Sequence, residues 1–297
     1  MAGIDVNRTT TGIELNPAQS AEIWSQAEYA SAAMQLAQRV DLPGAGVSIP
    51  IITGEPEADW VNETDEKPVS RPTFDNKLMT GYTMAVIVPF SNQFRRDKAA
   101  LYNEIVRKLP QALARKFDQT VFGALSGAPG SNFDTLGGAA QVGIAGNTYA
   151  GLVAADQAVA TGGGILNGWA LSPQARGLLL GAVDGQGRPL FLDSVAEGSV
   201  PRLLGAQTAI AKGVYQAGSP NRLGFAGDWT SAHYGVVEDV QLSISDQATI
   251  SDGGTQLNLW QRNMFAVRCE FEVGFRVRDL AHFVQLTDAV QPAPAGA

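Results

Sequence analysis

"NQFRRDKAALYNEIVRKLPQALARKFDQTVFGAL", residues 92–125, carries the strongest periodic signal in the chain. Phe94, Leu101, Ile105, Leu109, Leu113 and Phe117 recur at helical spacing and mark one apolar face. At ~1.5 Å per residue the rod would reach ~40 Å or more. Ser91 stands where a hydroxyl can cap its first turn. Pro110 lies inside it and should kink it or interrupt one backbone bond. "GAPGSN" (127–132) is expected to end it. The rod is basic: Arg95, Arg96, Lys98, Arg107, Lys108, Arg115 and Lys116 stand against Asp97, Glu104 and Asp118.

Upstream, "EADWVNETDEKPVSRPTFDNKLMTGYTMAVIVPF" (57–90) has the opposite character. Glu55, Glu57, Asp59, Glu63, Asp65 and Glu66 precede Lys67 and Arg71, and Trp60 and Phe74 are embedded in this polar run. Residues 45–53 and 78–90 both read as strands and can pair as a long hairpin, with 54–77 as its tip. The bland reading of acidic tip and basic rod is two solvated faces, each local pair worth ~0–1 kcal/mol. The sharper reading is that they meet, within or between chains.

Working outward, residues 1 to about 20 form an arm without clear period, and 20–40 read as a short amphipathic helix. Residues 133–147 read as a glycine-rich link. A helix over 149–161, a strand over 168–173 and a helix over 173–184 follow. Short strands are expected near 209–214 and 223–227, then over 233–245. In "MFAVRCEFEVGFRVRD" (264–279) Phe265, Val267, Cys269, Phe271, Val273 and Phe275 alternate with polar residues, a half-buried strand pattern. Residues 281–287 close the fold, and the Pro/Ala-rich tail reads as disordered. Helices and strands mix without βα alternation, so the fold class is α+β.

The chain has 297 residues, 45% of them hydrophobic and 17% charged, enough for a packed core. A net charge of −8 argues against general phosphate binding. Cys269 is the one cysteine, which excludes an intrachain disulfide and multi-thiolate zinc, and a buried inert thiol is expected. No apolar run is long enough to span a bilayer and no signal peptide is visible, so the chain reads as soluble and made in a reducing cytoplasm.

Catalytic motifs are scarce. His233 and His282 are the only histidines and lack metal-ligand spacing. "TGGGILNG" (161–168) precedes a strand and has no following Lys-Ser/Thr, so it reads as a connection and not a phosphate loop. "SDGGTQLN" (251–258) lacks the spaced carboxylates of a calcium loop. No cofactor, metal or catalytic residue is expected, and the chain is not read as an enzyme.

The order of parts carries a resemblance. A polar hairpin with "ADWVNETDEKP", a strand entering "VPFSNQFRRD" and a long helix ending "FDQTVFGALSG" come first. "WALSPQARGLLLGAVDGQGRPLF", "LLGAQTAIAKGV", "GFAGDWTSAHYGVVEDVQLSIS" and "NMFAVRCEFEVGFRVRDLAHFVQLT" follow. From about residue 10 to 287 this series resembles the major capsid proteins of tailed bacteriophages, the Hong Kong 97 fold.

The resemblance implies an N-terminal arm and short helix over 1–42, and an extended hairpin loop over 43–90 that reaches over a neighbouring subunit. It implies a peripheral domain with a spine helix over 91–145 and an axial domain over 146–263. Residues 264–297 would return to the peripheral domain and end in the tail. The implied function is assembly of pentamers and hexamers into an icosahedral head that encloses double-stranded DNA. The implied setting is the virion, assembled in the host bacterial cytoplasm, with a portal and decoration proteins as partners. Some members carry a scaffolding segment ahead of the arm; this chain begins almost at the arm, so a separate scaffolding protein is expected. Some members join subunits through a Lys–Asn bond. Lys67 and Lys77 lie in the loop, but no acceptor or catalytic glutamate matches, so no cross-link is carried over.

Candidate inter-subunit contacts are Trp60, Phe74, Glu55, Glu57, Asp59, Glu63, Arg95, Arg96 and Lys98. For Trp60 and Phe74 the alternative is a place in their own core. The loop is expected to be mobile in a lone chain and ordered in a shell, because neighbours would supply the burial that offsets ~1–2 kcal/mol of backbone entropy per residue. An encapsulin-like nanocompartment shell, and in a different class a soluble α+β hydrolase or binding module, are the alternatives.

Overall fold

The structure is a computed structural model describing residues 31–54, 58–61, 67, 69–71, 73–97, 99–123, 127–182, 190 and 202–290. The alternating run forms one long strand, Met264–Val277, and its apolar set from Phe265 to Phe275 is buried throughout. It pairs antiparallel with Ala232–Ser245 on one side and with Tyr82–Ser91 on the other. Gln38–Asp41 adds in parallel to the outer edge of Ala232–Ser245. In chain order the strands are β1 (Gln38–Asp41), β2 (Val47–Gly54), β3 (Thr73–Met79), β4 (Tyr82–Ser91), β5 (Ala140–Ala145), β6 (Gly168–Leu171) and β7 (Arg202–Leu203). They continue as β8 (Ala206–Ile210), β9 (Arg222–Gly227), β10 (Ala232–Ser245), β11 (Thr249–Asp252), β12 (Thr255–Asn258), β13 (Met264–Val277) and β14 (Phe283–Val290). The first sheet thus has the order β1-β10-β13-β4.

The helices among the described residues are α1 (Ala32–Leu36), α2 (Asn92–Asp97), α3 (Ala99–Val121), α4 (Thr148–Thr161) and α5 (Pro173–Leu180). Ser91 caps α2, its Oγ accepting from Phe94 N at 3.1 Å. α3 runs 23 residues through Pro110, so the proline removes one N–H without ending the helix. Its buried face is Tyr102, Val106, Leu109, Leu113, Phe117 and Val121. The expected face is kept at Phe94, Leu109, Leu113 and Phe117 and widened by Tyr102, Val106 and Val121; Ile105 is partly buried against the same core, and the side chain of Leu101 lies outside the described residues. The helix ends at Val121, before the expected "GAPGSN" stop.

A second, mixed sheet has the order β5-β14-β9-β6-β8-β7. Alternation sorts its side chains between two cores. Trp169, Leu171, Ala226, Val284 and Leu286 face α4 and α5, while Ala170, Phe225 and Phe283 join the core of α3 and the first sheet. β5 arises within 91–145, β10 within 146–263 and β14 within 264–297, so the two sheets are woven from all three segments.

Three expectations are corrected. The helix over 20–40 stops at Leu36, and residues 38–41 are strand, because β10 offers a backbone edge there; 20–30 lie outside the described residues. The hairpin partner of β2 is β3, with Val47 opposite Met79 and Ile52 opposite Phe74. The apolar run 78–90 is split at Thr80-Gly81, and its larger part, β4, leaves to pair with β13. The link over 133–147 contains β5, and "SDGGTQLN" spans the end of β11, its Gly253-Gly254 turn and β12. Gly253 and Gly254 both take positive φ there, +55° and +87°, which suits a two-residue hairpin turn.

Candidate assembly surface

The arm formed by β2 and β3 is fixed to the body at its root. Lys77 Nζ donates to the carbonyls of Val277 and Arg278 at 2.9 and 3.1 Å. Arg276 donates from Nε to Leu78 O at 2.8 Å, and from Nη1 to Asp134 Oδ1 at 2.7 Å. Asp134 Oδ2 accepts from Val277 N at 3.1 Å. The root is thus a charge-assisted cluster with multiple bonds to backbone. Lys77 is engaged within its own chain, whereas Lys67 is exposed.

Beyond the root the arm presents apolar groups to solvent. Trp60 is 100% exposed and Val69 83%. The core alternative for Trp60 is therefore excluded in the lone chain. Phe74 sits in β3, but its side chain lies outside the described residues, as do those of Arg95 and Arg96 in α2. Glu55, Glu57, Glu63 and Lys98 lie outside the described residues altogether. Asp59 is exposed, its Oδ1 accepting from Trp60 N at 2.8 Å. On α3, Arg107, Lys108, Arg115 and Lys116 are exposed, so the described part of the rod presents a basic face.

Asp118 is the polar residue that sequence reasoning missed. It counts as a surface charge in the sequence, yet it is buried on α3. Its Oδ1 accepts from Ser31 Oγ at 2.6 Å and Ala33 N at 3.2 Å, and its Oδ2 from Ala32 N at 3.0 Å. Burial pushes the carboxyl up to about 6, against the downward pull of these three donors. This joint ties the start of α1 to the spine helix. Its signal was position: Asp118 falls beside Ala114, Phe117 and Val121 on the buried face.

The "GDW" element is structural too. Asp228 Oδ1 accepts from Asn167 Nδ2 at 2.8 Å and from Thr230 N at 3.0 Å. Trp229 is buried and donates from Nε1 to Gly168 O at 3.0 Å. A side chain at Gly227 would strike Phe283 and the His282 carbonyl. Cys269 is buried, which pushes its thiol up to about 12 and makes it a poor nucleophile. Burial pushes His233 below its usual value. Among the described residues no group of three or more His, Cys, Asp or Glu is placed to hold a metal, and no helix is long and apolar enough to cross a membrane.

Residues 12–288 match the family model described as the phage capsid family. The chain belongs to the phage capsid family. It is similar to the probable major capsid protein gp17 of Mycobacterium phage D29, 29% identical over 95% of this chain and 92% of that protein. Its similarity to gp17 of Mycobacterium phage L5 is 30% over 92% of this chain and 89% of that protein. A solved structure from Mycobacterium phage Adephagia superposes with a TM-score of 0.72 at 22% identity, covering 94% of this chain and all of that one. The fold is the α+β Hong Kong 97 type. The chain is a phage major capsid protein, hence a virion component that associates with copies of itself.

Proposed function

We propose that this capsid protein assembles as pentamers and hexamers that close into an icosahedral head around double-stranded DNA. The four-stranded sheet with α3 serves as the peripheral domain, the six-stranded sheet with α4 and α5 as the axial domain. The arm lies over a neighbouring subunit, with Trp60 and Phe74 as its anchors. The acidic tip (Glu55, Glu57, Asp59, Glu63) and the basic stretch Arg95, Arg96 and Lys98 supply charge-matched contacts between subunits. Assembly takes place in the host bacterial cytoplasm, with a separate scaffolding protein, a portal and decoration proteins as partners. The chain performs no catalysis of its own.

The observation that carries this reading is the family match over residues 12–288 joined to an arm whose Trp60 is fully exposed. The match to phage proteins favours a DNA-filled head over an encapsulin-like compartment. Negative-stain electron microscopy of the purified chain tests it: closed shells, tubes or capsomer rings are expected, and a homogeneous small oligomer contradicts it. Charge reversal at Arg95 and Arg96 should lower shell yield, and a reversed tip should restore it. Normal shells from the uncompensated reversal at low salt would refute the charge-matched contact.

A further inference from the structure

We infer that the cleft between α3 and β4 is the socket that receives the Trp60 segment of a second copy of the chain; this rests on the arm-over-neighbour reading above. The cleft has a volume of about 610 Å³ and is walled by Tyr82, Met84 and Val86 of β4, Leu113 and Phe117 of α3, and Phe133. Its walls are mainly apolar and aromatic. Phe117 and Phe133 meet edge to face at 6.3 Å between centroids, and Tyr82 and Phe133 at 6.1 Å. An indole extends such an edge-to-face set favourably. The cleft opens at the margin of its sheet. β4 pairs with β13 on one side and, among the described residues, with no strand on the other. Its outer backbone groups can therefore hydrogen-bond a segment laid alongside.

Three features select the occupant. Trp60 is entirely exposed in its own chain, so that chain's own cleft does not hold it. Residues 58–61 are neither helix nor strand, so no ladder partner holds them, and Trp60 N bonds only locally, to Asp59 Oδ1. Asp59 precedes the indole, and Lys116 lies at the cleft rim with Arg115 exposed beside it, so the charges are complementary. A Trp seated in an apolar pocket with a charged rim is the usual composition of an energetic anchor.

Cysteine cross-linking tests the socket. The native Cys269 is buried and does not compete. Chains carrying Val61→Cys, which leaves the Trp60 indole in place, and chains carrying Thr120→Cys are mixed, assembled and mildly oxidised, then run on a non-reducing gel. Docking raises the local concentration of the two thiols, so the heterodimer should be at least about tenfold more abundant in shells than in the unassembled mixture. Ala128→Cys, at another point of the cleft lining, should cross-link as well, which guards against one variant misfolding. Lys116→Glu should lower the melting temperature of shells, with partial recovery on adding Asp59→Lys. Shells that form without either cross-link overturn the socket, and so does Thr120→Cys linking instead to Ala18→Cys of the N-terminal segment. Both results leave the capsid reading standing. Failure of the unmodified chain to form any higher assembly, even with its scaffolding protein supplied, overturns the assembly reading itself.

Discussion

The arm and the β13 strand are both built from alternating residues, yet they live in opposite environments. In β13 every second side chain from Phe265 to Phe275 is buried between α3 and the neighbouring strands. In the arm, among the described residues, β2 and β3 pair only with each other, and Trp60 beyond them is fully exposed. A two-stranded ribbon alone is marginal in water. The body therefore completes its burial within one chain, whereas the arm leaves apolar surface for another surface to cover. The root cluster of Lys77, Arg276 and Asp134 joins these two regimes: Ile51 and Met79 are buried near it, while Trp60 beyond it stays exposed.

The contrast is broken most severely in the body. Phe275→Ala removes a buried ring that packs against Phe117 and Phe133 at 6.3 and 6.1 Å. It should cost about 3–5 kcal/mol, read as a lower urea midpoint of the unassembled chain. Next comes the joint at Asp118. Asp118→Ala orphans the Ser31 hydroxyl and two backbone N–H groups and should cost about 2–4 kcal/mol. Its titration gives a sharper check. The carboxyl moves from 3.8 to about 6 on folding, so the folded state holds the proton more tightly. The stability it contributes is full below the unfolded value and is lost as pH rises through 6. Compared with Asp118→Asn, the unmodified chain should gain on the order of 2–3 kcal/mol between pH 7 and pH 4. Urea melts of both chains across that range give the difference; a flat difference contradicts the joint.

At the root, Arg276→Met should cost less, about 1–2 kcal/mol, since the Arg276–Asp134 pair is partly exposed. Its signature is local: amide exchange should speed up in β2 and β3 while β13 stays protected. Smallest is Trp60→Ala. It should change the unassembled chain by less than about 0.5 kcal/mol, because the indole touches nothing there. In shells the same substitution should lower the melting temperature, and equal effects in both states would erase the distinction between arm and body.

Much of the body was legible. Strong alternation identified β13 residue by residue, and Ser91 marked the helix start, because local chemistry and tertiary burial agree at both places. The width of the α3 face shows a limit. Tyr102 and Val106 also fit a helical stripe, and only the sheet beneath shows that they are buried while Ile105 is partly so. β1 and β5 went unread because each is a short strand recruited by a distant partner edge, β10 and β14. Asp118 was opaque because its acceptors are used by backbone donors 85 and 86 residues away. Of the surface residues, Trp60 stood open between an anchor and a core place until its exposure was seen, and the socket proposed for it combines β4, α3 and Phe133, which no contiguous motif records.

Hydrogen exchange of the peptide containing residues 58–61, in unassembled chain and in closed shells, tests the division between arm and body most directly. The account predicts fast exchange in the lone chain and at least about tenfold slowing in shells, with β13 protected in both states. Equal exchange of this peptide in the two states would contradict it.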